Sequence, residues 1–335
     1  MRKSFRINVL ASAKAAKMTR MAQTLLSERG HEIVTYPSVD AFRADSAGIA
    51  ASDVILTMPD MPVRIQEMDL APRLRAVVSM VTGTENIAET EATRRGILVA
   101  NGHVVESYVS MAEATVMLIL ASLYDLDRSQ AQLREPTSAN IERRARMLRR
   151  KTIGLIGFGR IAQTVAQLLA PWQVELLTFM RHPRGVPAYV RSLPLDEVLA
   201  QSDVVVILTN LDDSTRGLID ETRLRRMKED AVLVNTARGA IIDEAALVRV
   251  AQERPNMRIA LDVFEALPLA PDHPLRALPN AILTPHVVGH TSETTVALGD
   301  ALLENVERIL CGELPLHVCN PSVIETWLAR WGARP

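Results

Sequence analysis

Short runs of Val, Ile and Leu alternate with helical patterns along almost the whole chain, and this alternation constrains the fold more than any other feature. Strands that alternate with helices indicate βαβ units and a mostly parallel sheet. A first series of predicted strands covers Ile7–Ala11, Glu32–Tyr36, Asp53–Met58, Leu74–Ser79 and Ile97–Asn101. A second series covers Thr152–Gly157, Val174–Phe179, Asp203–Leu208, Ala231–Asn235, Arg258–Val263 and Ala281–Thr284.

Helical patterns between and after these strands complete the two series. The length of 335 residues suits two domains, so we predict two α/β halves in tandem. Glycine follows two of the helical patterns, at Gly30 and Gly96, where a helix is expected to end. The predicted helices are Ala15–Arg29, Glu89–Arg95, Tyr108–Tyr124 and Ser292–Gly312.

Charge and composition argue against a protein that is dedicated to nucleic-acid binding. The net charge is −1, from 38 basic and 39 acidic residues, so the chain lacks the footprint of a dedicated nucleic-acid binder. The segment Asp125–Lys151 is rich in arginine and could bind phosphate. Because no aromatic residues are interleaved, a solvated helix or an interface arm is the preferred interpretation.

Other patterns indicate a cytoplasmic protein that binds neither membrane nor metal. Two cysteines, Cys311 and Cys319, cannot form a disulfide framework. The sequence has no run of 18 apolar residues and no signal-peptide pattern. Its histidines are scattered, and HExxH, CxxC and GxSxG motifs are missing, so we expect neither a metal centre nor a serine-hydrolase site.

The segment Thr152–Ala162 reads as a strand, a tight turn and the start of a helix. Gly157 permits the turn, Gly159 lets a pyrophosphate approach the backbone, and Ala162 is small enough for the helix to pack on the sheet. The helix N-terminus offers N–H groups to the phosphates. Given this context, dinucleotide binding is favoured over a purely structural turn.

The residues after the next strand bear on the choice of cofactor. An acidic residue at this point would bind the adenosine ribose of NAD, but the sequence has Met180, followed by Arg181 and Arg184. Guanidinium groups bind a 2′-phosphate through charge-assisted hydrogen bonds. NADP(H) is therefore favoured and NAD(H) is possible. The alternative is that the arginines face solvent and cofactor choice is loose.

Several blocks in a fixed order resemble the D-isomer-specific 2-hydroxyacid dehydrogenases. The replacement of an acid by Met180 with following arginines resembles the NADPH-dependent glyoxylate/hydroxypyruvate reductase branch. The blocks that carry the resemblance are Gly157–Ala162, Ser214–Ile219, Val232–Gly239, Ala260–Glu265, Asp272–Leu275, Leu278–Asn280 and Thr284–His286.

The resemblance implies an architecture and an activity. Residues 103–290 are expected to form an NAD(P)-binding Rossmann domain. Residues 1–102, completed by 291–335, are expected to form a flavodoxin-like substrate domain, with a cleft between the two doubly wound parallel-sheet domains. The implied reaction is hydride transfer between NAD(P)H and a small 2-keto acid or D-2-hydroxy acid, such as glyoxylate or hydroxypyruvate. A homodimer is also expected, although the segment Asp127–Lys151 differs in composition from the family's dimerisation arm.

Arg238 and His286 are the predicted catalytic residues, and each follows a predicted strand. A guanidinium at the end of a strand can bind the carboxylate and the keto oxygen of a 2-keto acid, and by resemblance Arg238 has this role. By resemblance His286 is the general acid in reduction and the base in oxidation. The alternatives are a surface salt-bridge arginine and a structural histidine.

The resemblance also assigns binding residues. In the first domain, the loop after the fourth strand is expected to bind the substrate carboxylate through Thr82 and Gly83, unless it is an ordinary turn. Asp262 is expected to contact the nicotinamide carboxamide. The full set of expected cofactor-binding residues is Gly157, Phe158, Gly159, Arg160, Ile161, Arg181, Arg184, Thr236, Ala237 and Asp262.

One position departs from the family pattern. The catalytic carboxylate expected five residues after Asp262 is replaced by Leu267, which cannot keep His286 protonated. We expect slower reduction, an acid-shifted optimum, or a substitute carboxylate such as Glu265 or Glu113. Two alternatives to a reductase follow. One is an inactive dinucleotide-binding regulator. The other is hydride transfer without proton transfer, as in formate oxidation, although that branch has Gln at this position.

Overall fold

In a computed structural model, which describes residues 4–11, 15–134 and 144–333, the chain divides into two compact units. The terminal unit comprises residues 1–107 and 292–335, and the central unit comprises residues 108–291. These divisions lie a few residues after the ends of the expected domains, 102 and 290. The helix Val105–Leu123, here called the connecting helix, continues across the first division.

The secondary structure consists of short strands and helices in alternation. The strands are β1 (Arg6–Leu10), β2 (Glu32–Tyr36), β3 (Val54–Thr57), β4 (Ala76–Ser79), β5 (Leu98–Ala100), β6 (Thr152–Ile156), β7 (Glu175–Phe179), β8 (Val190–Ser192), β9 (Val204–Ile207), β10 (Val232–Asn235), β11 (Arg258–Leu261) and β12 (Ala281–Leu283). The α-helices are α1 (Ala16–Ser27), α2 (Val39–Ala44), α3 (Ser46–Ala50), α4 (Ile65–Asp69), α5 (Glu89–Arg94), α6 (Val105–Leu123), α7 (Leu126–Arg134), α8 (Arg160–Leu169), α9 (Leu195–Gln201), α10 (Glu221–Arg226), α11 (Glu244–Glu253), α12 (Ser292–Leu310) and α13 (Ile324–Trp331).

The terminal unit is built on a five-stranded parallel sheet in the order β2-β1-β3-β4-β5. Strands β3, β4 and β5 are buried along their whole length, which explains their continuous apolar sequences. Helix α12 returns to this unit from the far end of the chain. Its residues Leu302, Val306 and Ile309 share one core with β1, β3 and β4.

The central unit is built on a seven-stranded parallel sheet in the order β12-β11-β10-β9-β6-β7-β8. Strand β6 pairs with β7 on one side and with β9 on the other, so the strand order reverses at β6. Ligands of open α/β sheets bind beyond the carboxyl ends of the strands at such a reversal. The two parallel sheets confirm the predicted fold class.

The structure differs from the prediction in several short elements. Every predicted strand is present, shortened at some ends, but β8 was not predicted. The helices α2, α3, α4, α7 and α13 were not predicted as separate elements. Helix α7 has no buried residue, in agreement with a solvated helix. Residues 135–143 of the arginine-rich segment, with Arg143, lie outside the described residues, whereas residues 144–151 are described.

Helix α6 is long and apolar enough to cross a membrane by length and composition alone. Several of its residues are buried in the fold, and they include the polar side chains Ser110, Thr115 and Ser122. Because the core helix of a globular protein passes the same test, this helix is weak support for a membrane span.

Candidate active site

The turn after β6 requires glycine at its first position. Gly157 has a φ of +99°, and a Cβ atom there would lie 2.8 Å from the carbonyl oxygen of Leu208, beyond the end of β9. Its amide donates to the carbonyl of Phe179, at the end of β7, at 2.8 Å. The turn is therefore held between the two neighbours of β6, and any larger residue would strain it.

Gly159 leaves the outer face of this turn open. A Cβ atom at Gly159 would have nothing within 4 Å, and the residue forms the N-cap of α8 with an extended backbone. Ala162 is fully buried on the opposite face of α8. Open backbone beside a helix N-terminus is a site where phosphate groups bind, so the turn fits the pyrophosphate of a dinucleotide.

The neighbours of the glycines support the turn in different ways. Phe158 is buried, and its carbonyl accepts a hydrogen bond from Gln163 Nε2 at 3.1 Å. Arg160 begins α8, and its guanidinium lies 6.0 Å from the centre of the Tyr108 ring. Ile161 packs partly against the core of the central unit. Of these residues, Arg160 alone brings a charged side chain to the start of the helix.

The two arginines after β7 have acceptors within the protein. Arg184 donates from Nη2 to the Phe158 carbonyl and borders a cavity of about 200 Å³ beside the turn. Arg181 forms a bidentate ion pair with Asp212, with Nη1–Oδ1 at 2.9 Å and Nη2–Oδ2 at 2.7 Å. Sequence reasoning missed Asp212, which lies in the loop after β9. The signal was present in the motif Asp-Asp-Ser, which is typical of a side-chain-capped turn.

Asn235 shapes the loop after β10 that carries Arg238. Its Oδ1 accepts from the Ala237 amide at 3.0 Å, and its Nδ2 donates to the Arg238 carbonyl at 3.0 Å. Gly239 lies against the segment that follows β11, where any Cβ atom would overlap the carbonyl of Phe264. Arg238 is half-buried, and the loop that carries it is fixed on both sides.

Thr236, in the same loop, is buried, and its hydroxyl lies 3.1 Å from the hydroxyl of Thr115 on α6. This contact fixes the loop to the connecting helix. Thr236 and Ala237 therefore present ordered backbone beside Arg238, as a cofactor ribose would require.

Asp262 is fully buried directly after β11, and its two carboxylate oxygens have different surroundings. Oδ1 accepts from the Thr284 hydroxyl at 2.7 Å and from the Val287 amide at 3.0 Å. Oδ2 is buried without a hydrogen-bond partner among the described residues. A buried carboxylate oxygen of this kind needs a donor, and a carboxamide NH₂ group would supply one.

His286 occupies a turn after β12 that Asp262 helps to hold. The residue has a left-handed φ of +60°, and its amide donates to the Thr284 carbonyl at 3.0 Å. Beyond it, the Gly289 carbonyl accepts from Ser110 on α6 at 2.7 Å. Because the amide of Val287 binds Asp262, the buried carboxylate fixes the backbone immediately after the histidine.

The segment around Leu267, where the sequence departs from the family pattern, is exposed. The Leu267 side chain is 45% exposed. The backbone amide of Glu265 donates to Glu244 Oε2 at 3.1 Å, and Glu244 Oε1 lies 3.0 Å from His273 Nε2. Sequence reasoning assigned His273 no role and missed Glu244, which ties the start of α11 to this segment. The candidate carboxylates Glu265 and Glu113 are both exposed.

In the terminal unit, the loop after β4 holds the predicted substrate residues Thr82 and Gly83. The Thr82 hydroxyl donates to the Gly102 carbonyl at 3.2 Å, and Asn101 Nδ2 donates to the Thr82 carbonyl at 2.5 Å. The Gly83 carbonyl accepts from Ser79 at 2.6 Å. The loop is thus ordered against the end of β5, at the carboxyl edge of its own sheet.

Comparisons with known proteins show where this chain belongs. Residues 116–288 match the model of the D-isomer specific 2-hydroxyacid dehydrogenase, NAD binding domain. The chain is 35% identical to a glyoxylate reductase of Thermofilum pendens over 286 residues, which cover 83% of this chain and 84% of that protein. A residue-level match of this extent establishes common family membership.

Solved structures agree with the sequence match. An NADPH-dependent glyoxylate/hydroxypyruvate reductase from Sinorhizobium meliloti, in complex with NADP and malonate, has a TM-score of 0.83 at 26% identity, covering 96% of this chain and 98% of that one. An NAD-dependent formate dehydrogenase from Staphylococcus aureus, in complex with NAD, has a TM-score of 0.76 at 28% identity, covering 91% and 95%. The chain belongs to the D-isomer-specific 2-hydroxyacid dehydrogenase family of oxidoreductases.

Proposed function

We propose that the protein reduces a small 2-keto acid, such as glyoxylate or hydroxypyruvate, to the corresponding 2-hydroxy acid, with the D configuration where C2 is a stereocentre, and uses NADPH in preference to NADH. One observation carries this proposal. The carboxyl ends of the strands of a single parallel sheet hold the open glycine turn, Arg181, Arg238, Asp262 and His286. A dinucleotide site and the groups that a ketone reduction needs thus share one edge of the sheet.

The proposed cofactor site combines the features described above. The pyrophosphate lies on the open backbone at Gly159 and the first turn of α8. Asp262 Oδ2 accepts from the nicotinamide carboxamide, which satisfies its buried oxygen. Arg181 and Arg184 provide positive charge for a 2′-phosphate, with Met180 in the place of a repelling acid. The nicotinamide, when bound, supplies the hydride.

The proposed chemistry assigns a role to each catalytic side chain. Arg238 binds the substrate carboxylate and polarises the keto group, so that its oxygen accepts negative charge as the hydride arrives at C2. His286 donates a proton to that oxygen. Thr82 and Gly83, in the terminal unit, stay predicted carboxylate-binding residues. The hydride and the proton together convert the ketone to an alcohol.

Turnover with a panel of substrates tests this proposal. NADPH and NADH oxidation are followed at 340 nm with glyoxylate, hydroxypyruvate, pyruvate and formaldehyde, from pH 5 to pH 8. We expect turnover with the 2-keto acids, faster with NADPH, and none with formaldehyde, which has no carboxylate for Arg238. Arg238→Gln should lower kcat/KM by about 10³-fold, because it removes both binding and polarisation. Bound NADPH without turnover on any 2-keto acid would contradict the reductase function and favour a regulator.

We also propose that the protein is a homodimer, on the basis of exposed apolar side chains near the connecting helix. Met117 on α6 and Tyr124, directly after α6, are each 51% exposed, and Leu133 on α7 is 88% exposed. Exposed apolar surface of this kind is covered in protein interfaces. Sedimentation should give twice the mass of the chain, and Leu133→Glu should shift the protein toward monomer. A wild-type monomer at micromolar concentration would contradict this.

A cytoplasmic location stays a prediction. It is supported by the two cysteines, Cys311 and Cys319, both of which are free thiols in the structure.

A further inference from the structure

The ion pair between Arg181 and Asp212 spans the end of β6. Arg181 follows β7 and Asp212 follows β9, and these strands lie on opposite sides of β6. Neighbouring strands are about 4.8 Å apart, so β7 and β9 are separated by about 10 Å. The two side chains therefore meet across the carboxyl end of β6, beside the turn at Gly157.

Ser214 forms hydrogen bonds with both members of this ion pair. Its hydroxyl accepts from Arg181 Nη1 and donates to Asp212 Oδ1 at 2.6 Å, and its amide donates to the same oxygen at 2.9 Å. The Ser214 hydroxyl and then the Arg181 guanidinium hold the pKa of Asp212 well below its ordinary value. Asp212 is accordingly a fixed negative charge throughout the neutral range.

The pair is accessible to a ligand. The Arg181 side chain is 35% exposed and that of Asp212 is 44% exposed. Guanidinium has five N–H donors, and Asp212 and Ser214 make three contacts with its terminal nitrogens, two at Nη1 and one at Nη2. A phosphate that approaches these nitrogens would compete with the Asp212 carboxylate for donors, and the carboxylate would also repel it.

We propose that Asp212 is a cofactor-selectivity residue, which holds Arg181 in an internal ion pair and so weakens the binding of cofactors that carry a 2′-phosphate. The inference rests on the proposed function, in which the adenosine ribose lies at the end of β7. It means that the arginine identified from the sequence supplies only part of its charge to NADPH. A cofactor without the 2′-phosphate binds without having to compete for Arg181.

Binding of the cofactors to Asp212→Asn tests the inference without any turnover. The asparagine Oδ1 still accepts from the Ser214 amide, so the turn is preserved while the negative charge is removed. Dissociation constants of NADPH and NADH are measured by nicotinamide fluorescence at fixed ionic strength. We expect the affinity for NADPH to rise about tenfold, because the variant removes a negative charge beside the 2′-phosphate. The affinity for NADH should change by less than about threefold.

Three further variants make the result specific. Asp213→Asn removes the same charge from the next residue, which is also exposed, and should change the affinity for either cofactor by less than about twofold. Arg181→Gln in the Asp212→Asn background should abolish the gain for NADPH. If Asp212→Asn unfolds at a lower temperature than the wild type, Ser214→Ala, which loosens the same pair, should still shift the NADPH/NADH ratio in the same direction.

The possible outcomes separate this inference from the proposed function. Binding of both cofactors with an unchanged NADPH/NADH affinity ratio in Asp212→Asn would overturn the inference alone. Equal tightening of both cofactors would do the same, because it would indicate a general charge effect. If the wild-type protein binds neither cofactor, the proposed function fails, and this inference fails with it. Competition by 2′,5′-ADP and 5′-AMP should reproduce the selectivity of the intact cofactors.

Discussion

Asp262 offers the most specific prediction, because its two oxygens have different partners. Oδ1 accepts from Thr284 and from the amide of Val287, whereas Oδ2 is buried without a partner among the described residues. In Asp262→Asn the amide oxygen must stay on the Oδ1 side, because only donors face it there. The new NH₂ group therefore occupies the Oδ2 position, where it would oppose the NH₂ group of a nicotinamide carboxamide.

The size of the effect follows from this replacement of an acceptor by a donor. Loss of one hydrogen bond to a charged group, with two donors left facing each other, costs about 1.5–3 kcal/mol, so NADH and NADPH should each bind about 10- to 100-fold more weakly. Thermal unfolding should change little. Asp262→Ala removes the clamp on Oδ1 as well and should lower the free energy of unfolding by about 2–4 kcal/mol.

ADP-ribose is the matched control, since it contains the adenosine and the pyrophosphate but no carboxamide. Calorimetric titration should give the same affinity for ADP-ribose in the wild type and in Asp262→Asn. Equal losses for ADP-ribose and NADH would refute the reasoning, because the defect would then lie outside the nicotinamide. An unchanged affinity for NADH would refute it as well, because Oδ2 would then have no role in binding.

Three further predictions concern other parts of the chain. Gly157→Ala should lower the free energy of unfolding by about 2–4 kcal/mol in denaturant titrations, because it combines a left-handed φ with a backbone clash. Gly159→Ala should leave stability unchanged and weaken cofactor binding; similar stability losses for both would contradict the described turn. Leu267→Glu should move the optimum of the reductase pH–rate profile upward, by supplying the carboxylate that the family places there; an unmoved optimum would contradict this. Burial raises the pKa of the Cys319 thiol to about 12, so Cys319 stays a neutral thiol at pH 8. In mass spectrometry of the native protein, iodoacetamide should modify the exposed Cys311 well before Cys319; the reverse order would contradict this burial.

The fold could be predicted from the sequence because buried parallel strands leave a strong local signal. Strands such as Val204–Ile207 are apolar along their whole length, and the glycine turn at 157 follows directly from its spacing. Strand β8 escaped prediction, since its three residues Val190–Ser192 are too few to set a pattern and two of them are exposed. Helices α2 to α4 are each five or six residues long, too short for helical periodicity alone to identify them. Helix α5 is equally short, but Gly96 marks its end.

Individual residues of the candidate site could be predicted from the sequence, but the contacts between them could not. The arginines after β7 could be identified as cations near an adenosine site. That Asp212 would bind Arg181 depends on the positions of β7 and β9 on either side of β6, an arrangement that their sequences do not reveal. In the same way, the link from Asp262 to the turn at His286 requires β11 and β12 to be adjacent. Contacts between loops at one edge of a sheet follow from strand order, which spacing along the chain does not encode.

The stereochemistry of hydroxypyruvate reduction tests the central claim most directly. The protein is incubated with hydroxypyruvate and NADPH in which both hydrogens at C4 of the nicotinamide are replaced by deuterium, and the glycerate formed is resolved on a chiral column and analysed by mass spectrometry. The account predicts D-glycerate that carries one deuterium at C2. L-glycerate, glycerate without deuterium at C2, or no glycerate despite bound NADPH would contradict a D-specific hydride transfer to a 2-keto acid.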